Sequence, residues 1–395
     1  MPIIENLTHL GLGRTNDGDL IPRTLPGEEV DADGRIITPS VDRVAAPCRH
    51  FKTCGGCAMQ HAKDDFVADW KNTIVQRALS AHGLTPTFRP IQTSPAQSRR
   101  RAKFSGKRTK KGAMVGFHGR GSDVLVQIPD CHLLSPALMA GIPALEELTV
   151  LAASRKAEIA LTVTDSLAGL DVWVQTEQPL TSQLRIDLAA FAQTHALARL
   201  SWMDEVIVTL NPPSQPFGAA DVTPPAGAFL QATREGEAAL LAAVTEITGK
   251  SSRIIDLFSG CGTFALPLAK TAEIHAVEGE KPMLESLDQG WRMATGLKRV
   301  TTEARDLFRR PLEPDEFKKF DAAVIDPPRA GAEAQIATLA QSGIKRIAMV
   351  SCNPVTFARD AAHLVAHGYS IDWVQVVDQF RWSAHVEMVA QFARS

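Results

Sequence analysis

From about residue 235 the chain alternates short apolar runs with amphipathic segments, and this rhythm limits the fold more than any other feature. "REGEAALLAAVTEITG" reads as a helix and leads into the apolar "RIIDLF". "EIHAVEGE", "FDAAVIDPPRAG" and "IKRIAMVSCNP" follow, with helix-like stretches between them, one spanning about 281–295. Short buried strands separated by helices predict a parallel sheet wrapped by helices, an α/β arrangement. Ligands of such sheets sit outside the carboxyl ends of the strands. The residues at those ends are therefore the first candidates for chemistry.

Upstream, residues 93–229 read as β-rich, with hairpins around Gly119-Arg120-Gly121 and Ser166–Gly169, a helix in "SQLRIDLAAFAQTHAL" and a strand in "EVIVTL". The first 47 residues are punctuated by Gly and Asp and read as a small β unit. "DDFVADWKNTIVQRALSAHG" reads as a helix stopped by Gly83. A chain of 395 residues suits two or three domains. The boundaries fall at 1–47 (an abbreviated N-terminal β module), 48–59 with 93–229 (a central domain) and 60–92 with 230–395 (the C-terminal α/β domain).

There is no apolar run of membrane-spanning length and no signal-peptide pattern at the N-terminus. A cytoplasmic protein without a membrane partner is expected, with its six cysteines reduced and open to metal binding or catalysis. The net charge of −2 excludes a general polycation. Residues 99–111 nevertheless carry eight basic residues and no acidic one. Arg99, Arg100, Arg101 and Lys103 are candidate RNA contacts on this ground, because phosphate neutralisation supplies most non-specific affinity. A solvated loop is the competing reading.

"DLFSGCGTFALPLA" places Asp256 near a strand end, followed by Gly260-x-Gly262 and a helix. Glycines there let backbone approach a ligand closely. Leu266 replaces the last glycine of a dinucleotide fingerprint, so S-adenosylmethionine, an adenosine without phosphates, suits the loop better than NAD. Glu278, Asp306 and Asp326 follow at successive strand ends, and four acids in register would face one side of the sheet. Cys352 lies just past a strand and before Asn353-Pro354, a poor position for simple packing. Cys261 reads as packing. Cys48, Cys54 and Cys57, spaced C-x5-C-x2-C, could join Cys131 in a tetrahedral site for zinc or an iron–sulfur cluster. His50, His61 and His132 read as polar surface residues or RNA contacts.

The motifs "DLFSGCGTF", "DPPRAG", "SCNPVTFARD" and "HVEMVAQF", in this order, resemble those of the RNA 5-methyluridine methyltransferase family. The resemblance implies a C-terminal class I (Rossmann-like) methyltransferase domain with a β-rich central domain and a trimmed N-terminal β module. It implies S-adenosylmethionine as donor and a uridine of 23S ribosomal RNA, or alternatively of transfer RNA, as target. Donor contacts implied by motif are Gln231, Phe258, Thr263, Glu278, Asp306 and Asp326. Cys352 is the implied nucleophile, Glu387 the implied base, and Phe229 is placed beside the target base. The four cysteines are implied to hold a [4Fe–4S] cluster, with zinc as the alternative, and no obligate protein partner is implied. Thr233 and Thr263 depart from asparagines found in family members. Competing readings are an RNA cytosine-C5 methyltransferase, which also uses a cysteine, an amine methyltransferase suggested by "DPPR", and a non-catalytic metal-stapled RNA-binding protein.

Overall fold

The computed structural model describes residues 2–394. The C-terminal half forms one nine-stranded sheet. Its order is Val300–Ala304, Glu273–Glu278, Arg253–Leu257, Ala322–Ile325, Arg346–Ser351, Glu387–Ala393, Ser370–Asp378. The first five of these run parallel, as their alternation with helices demands. Glu387–Ala393 enters antiparallel to both neighbours. Two short strands from upstream, Thr87–Phe88 and Gln92–Thr93, add to the outer edge against Ser370–Asp378.

The strand order reverses between Arg253–Leu257 and Ala322–Ile325. Crossovers leave to opposite sides there and open a crevice above the strand ends. The sheet residues on either side of it, such as Ile255, Leu257, Val324 and Ile325, are fully buried beneath helices on both faces. Two caps fix helix starts near the crevice. Thr233 Oγ1 accepts from Gly236 N at 3.0 Å and opens helix Arg234–Thr248. Asn353 Oδ1 accepts from Val355 N at 3.1 Å, with Pro354 first in helix Pro354–Ala366.

The central region is a seven-stranded, mostly antiparallel sheet backed by helix Pro136–Ala152. Both expected hairpins are present, Ala113–His118 with Leu125–Gln127 and Ile159–Ser166 with Gly169–Gln175. The N-terminal unit is a three-stranded sheet plus a two-stranded one, and Leu7 and Leu25 pack on Met59 and Trp70.

The basic run is not a solvated loop. Most of it is the strand Arg101–Arg108. Arg100 is fully buried, with Nη2 2.5 Å from Glu237 Oε2 and Nε donating to the Gln231 carbonyl at 3.0 Å. A guanidinium committed to a buried carboxylate is not free for phosphate, so the expected RNA contact at Arg100 is corrected to a structural strut. Lys107 pairs with Glu158 at 3.2 Å. Arg101 donates to the Gly227 carbonyl at 2.9 Å, and Arg99 is half-buried with its guanidinium 5.8 Å from the Phe380 ring centre. Lys103 is exposed on the strand.

Candidate active site

A cavity of about 680 Å³ opens at the strand-order reversal. Its walls bring together nine of the residues expected from sequence: Phe229, Gln231, Phe258, Thr263, Glu278, Asp306, Asp326, Cys352 and Glu387. The volume lies within the usual range for small-molecule and cofactor sites.

One half is built from the glycine loop and two acids. Gly260 has φ +54, and a Cβ there would meet nothing within 4 Å, so the loop backbone faces open space. Gly262 has φ +95, and a Cβ would press to 2.9 Å from Leu287, which excludes any side chain. Glu278 is clasped by backbone amides, Gly260 N at 3.0 Å and Glu280 N at 3.0 Å. Asp306 Oδ1 accepts from Phe308 N at 3.0 Å and Arg309 N at 3.3 Å. Phe258 holds φ +61, a strained conformation for an aromatic residue, and its ring meets Phe308 at 5.4 Å between centroids. These rings form an aromatic wall. Phe308 was not singled out from the sequence, although it stands two residues after Asp306.

The other half holds Asp326, Cys352 and Glu387. Antiparallel pairing sets Ser351 against Met388 at the end of the ladder, and the residues that follow and precede them, Cys352 and Glu387, both line the cavity. Burial pushes the Asp326 carboxyl up to about 7. Burial and the neighbouring Asp326 charge raise Glu387 well above the usual carboxylate range. Burial, with the charges of Glu387 and Asp326, pushes the Cys352 thiol up to about 11, while Arg329 opposes the rise. The Arg329 carbonyl accepts from Asn353 Nδ2 at 2.8 Å, tying "DPPRAG" to the cysteine loop. Gln379 Nε2 donates to Gln231 Oε1 at 2.6 Å, and Gln231 Nε2 reaches Asp326 Oδ2 at 3.4 Å. Arg329 and Gln379 are further site residues that sequence reasoning did not assign.

The comparisons with known proteins agree with this geometry. The family model described as tRNA (Uracil-5-)-methyltransferase matches residues 221–394. An uncharacterized RNA methyltransferase of Rhizobium meliloti is 43% identical over 96% of this chain and 95% of its own. A 23S rRNA (uracil(1939)-C(5))-methyltransferase of Halomonas elongata is 32% identical over 98% of this chain and 87% of its own. The chain belongs to the RNA (uracil-C5) methyltransferase family. The crystal structure of a Pyrococcus abyssi tRNA (uracil-54, C5)-methyltransferase with S-adenosyl-L-homocysteine shares the fold, at TM-score 0.76 and 21% identity, covering 100% of this chain and 99% of that one.

Several residues of this uracil-C5 methyltransferase family member lie away from the cavity. Asp256, expected among the four facing acids, is instead fully buried in its strand, and neither carboxylate oxygen has a hydrogen-bond partner. Burial and the nearby Asp326 raise its carboxyl well above the usual range. Thr233, one of the two departures from the family pattern, is a helix cap that also bonds Ser94 at 2.7 Å, while Thr263 lines the cavity. Cys261, although it borders the cavity, is packed against Met283 and 2% exposed. His61 is not on the surface. It is 3% exposed and stacked on Phe51 at 5.6 Å, and burial lowers its imidazole to about 4. His50 pairs with Asp130 at 3.0 Å.

Cys48, Cys54 and Cys131 stand near enough to Cys57 to oppose its ionisation. Burial and then neighbouring thiolates raise the Cys54 and Cys131 thiols, and Cys57 is pushed up to about 12. Among the described residues, however, no three His, Cys, Asp or Glu side chains converge to hold a metal ion. The cysteine segment is bound to the catalytic side through Trp382. The Trp382 carbonyl accepts from Ala58 N at 2.7 Å and Met59 N at 2.9 Å, and its indole donates to Asp64 at 3.1 Å. The ring packs on Phe51 and Cys57, five residues before Glu387.

Proposed function

We propose that the chain methylates C5 of a uridine in RNA, with S-adenosylmethionine as donor and 23S ribosomal RNA as the substrate. The observation that carries the reading is the convergence of Cys352, just past the end of one strand, and Glu387, first in the adjacent strand, in a cavity whose other half is a glycine loop with two amide-clasped acids. The Halomonas relative supports the ribosomal target.

Carbon 5 of uracil is a weak nucleophile. Addition of the Cys352 sulfur to C6 moves electron density onto C5 as an enolate and divides one hard step into easier ones. The thiol, raised to about 11, must first lose its proton. Asp326 and Cys352 ionise more readily beside a positive charge, and S-adenosylmethionine supplies one together with its electrophilic methyl group. The glycine loop, Glu278, Asp306 and the Phe258–Phe308 wall are suited to its adenosine. Once C5 is methylated, Glu387 takes the C5 proton, the C5–C6 double bond re-forms and sulfur leaves as thiolate. Phe229, 61% exposed at the rim, offers a ring for the target base, which must be unstacked to enter.

The four cysteines are assigned to a [4Fe–4S] cluster. The reading rests on the family resemblance and on an all-sulfur donor set, which suits an iron–sulfur cluster and, as the alternative, zinc. Bound there, the cluster would join the 48–57 segment to the Cys131 loop.

The test is product identity. Protein, labelled S-adenosylmethionine and undermethylated total RNA are incubated, the RNA classes separated, and the nucleosides resolved. Label in 5-methyluridine of 23S RNA supports the reading. Label in 5-methylcytidine or an N-methylated base overturns it, and label confined to transfer RNA overturns the choice of target.

A further inference from the structure

A second cavity, of about 410 Å³, lies where the N-terminal β unit, the cysteine segment and the hairpin at Gly119-Arg120-Gly121 meet. Its lining includes Arg23, Lys52 and Arg120 and no carboxylate. Several basic residues elsewhere on these segments are neutralised: Arg43 pairs with Glu28, Arg49 with Asp130 and Lys63 with Asp42. Among the described residues, none of the three cleft cations forms an ion pair. Two are aimed by single bonds to the cysteine segment. Arg23 Nη1 donates to the Lys52 carbonyl at 2.8 Å, and Arg120 Nη2 to the Cys57 carbonyl at 2.7 Å. Arg23 holds φ +61 to do so, a costly backbone for arginine. A guanidinium has five N–H donors, so most of each fork remains free for an anion. Val124, 66% exposed, and Val126 supply an apolar wall.

We infer that this cleft binds a phosphodiester and its sugar from the substrate RNA, outside the nucleotide that is methylated. The inference rests on RNA being the substrate. Charge decides the occupant. Three unpaired cations with no acid in the lining suit a polyanion, and the apolar wall suits a ribose. The cleft is also joined to the reaction centre. The Cys57 carbonyl faces Arg120 on one side of the segment, while the next two amides hold the Trp382 carbonyl on the other. An RNA strand held in the cleft therefore grips the segment that anchors the loop leading to Glu387.

The test is RNA affinity against salt for Lys52→Glu, Arg23→Gln and the pair together, with a 23S RNA fragment as probe. Lys52 is exposed, so its variant should fold. S-adenosylhomocysteine binding is the folding control for each variant and is expected to stay unchanged. Lys52→Glu should weaken RNA binding roughly 5-fold to 10-fold, and the salt slope should fall by about 0.7 for each phosphate no longer neutralised. Equal affinity and equal slope in Lys52→Glu and the double variant would overturn the proposal, including the case in which the cleft serves an acidic protein instead. The readout is binding, not turnover. If wild-type protein made no 5-methyluridine while the variants still bound RNA more weakly, the methylation reading would fall and the cleft would stand.

Discussion

The two halves of the main cavity hold their acids in opposite ways. In the donor half, Glu278 and Asp306 are each clasped by two backbone amides, Glu278 by one from the glycine loop and one from its own turn, Asp306 by two from its own loop. In the reaction half, Glu387 is buried and Asp326 half-buried at the cavity wall, and the side-chain support of Asp326 is one Gln231 amide at 3.4 Å. Amides fix a carboxylate in place and leave its remaining lone pairs for a ligand. Burial without them disfavours the charge: Glu387 is raised well above the usual carboxylate range, and Asp326, pushed up to about 7, stands ready to exchange a proton near neutrality. Under the proposed function, the clasped pair is suited to binding and the desolvated pair to chemistry.

Substitutions can break this contrast. The largest effect is expected at Cys352. Cys352→Ala should lower methyl transfer by about 10⁴-fold or more, with donor and RNA affinities within about 2-fold of wild type. Rates should be read by label incorporation and affinities by titration, and a variant retaining a tenth of the rate would remove Cys352 from the mechanism. Next comes Glu387→Gln, with turnover down by about 10² to 10⁴-fold in steady-state assays and donor KM little changed. A large KM change with kcat intact would move Glu387 to the binding half.

Asp326 tests the burial argument through stability. Its folded-state carboxyl titrates near 7, against an ordinary value of 3.8. Its contribution is therefore full below about pH 3.8 and lost as pH rises through 7. Asp326→Asn should raise unfolding free energy at pH 8 by on the order of 3 kcal/mol, with almost no gain at pH 4, measured by urea denaturation. An equal gain at both pH values would contradict a buried, proton-exchanging carboxyl. The smallest effect belongs to the donor half. Glu278→Gln should raise donor KM about 10-fold with kcat nearly constant, and a kcat loss larger than the KM change would blur the division.

The sheet and its strand-end residues were legible because a parallel strand must be followed by a crossover, so apolar runs and the acids after them mark positions in space. Nine cavity residues were placed this way or through motif resemblance. What escaped was set by partners distant in sequence. Arg100 read as an RNA contact within a basic run, but its carboxylate, Glu237, lies on a helix 137 positions away. Asp256 read as a pocket acid because it lies one residue before its strand's end, and one residue in a strand reverses the side chain's direction. His61 looked like a surface histidine until Phe51 covered it. The Trp382 anchor depends on its carbonyl meeting two amides of the cysteine segment, and no side-chain pattern encodes a backbone contact of that kind.

The central claim is that the sulfur of Cys352 bonds to the uracil ring and that Glu387 is needed to release it. The most direct test is mass spectrometry of Glu387→Gln after incubation with donor and substrate RNA, nuclease digestion and proteolysis. The account predicts a peptide containing Cys352 that carries a methylated uridine nucleotide, absent from Cys352→Ala. An unmodified Cys352 peptide alongside methylated free RNA would contradict it.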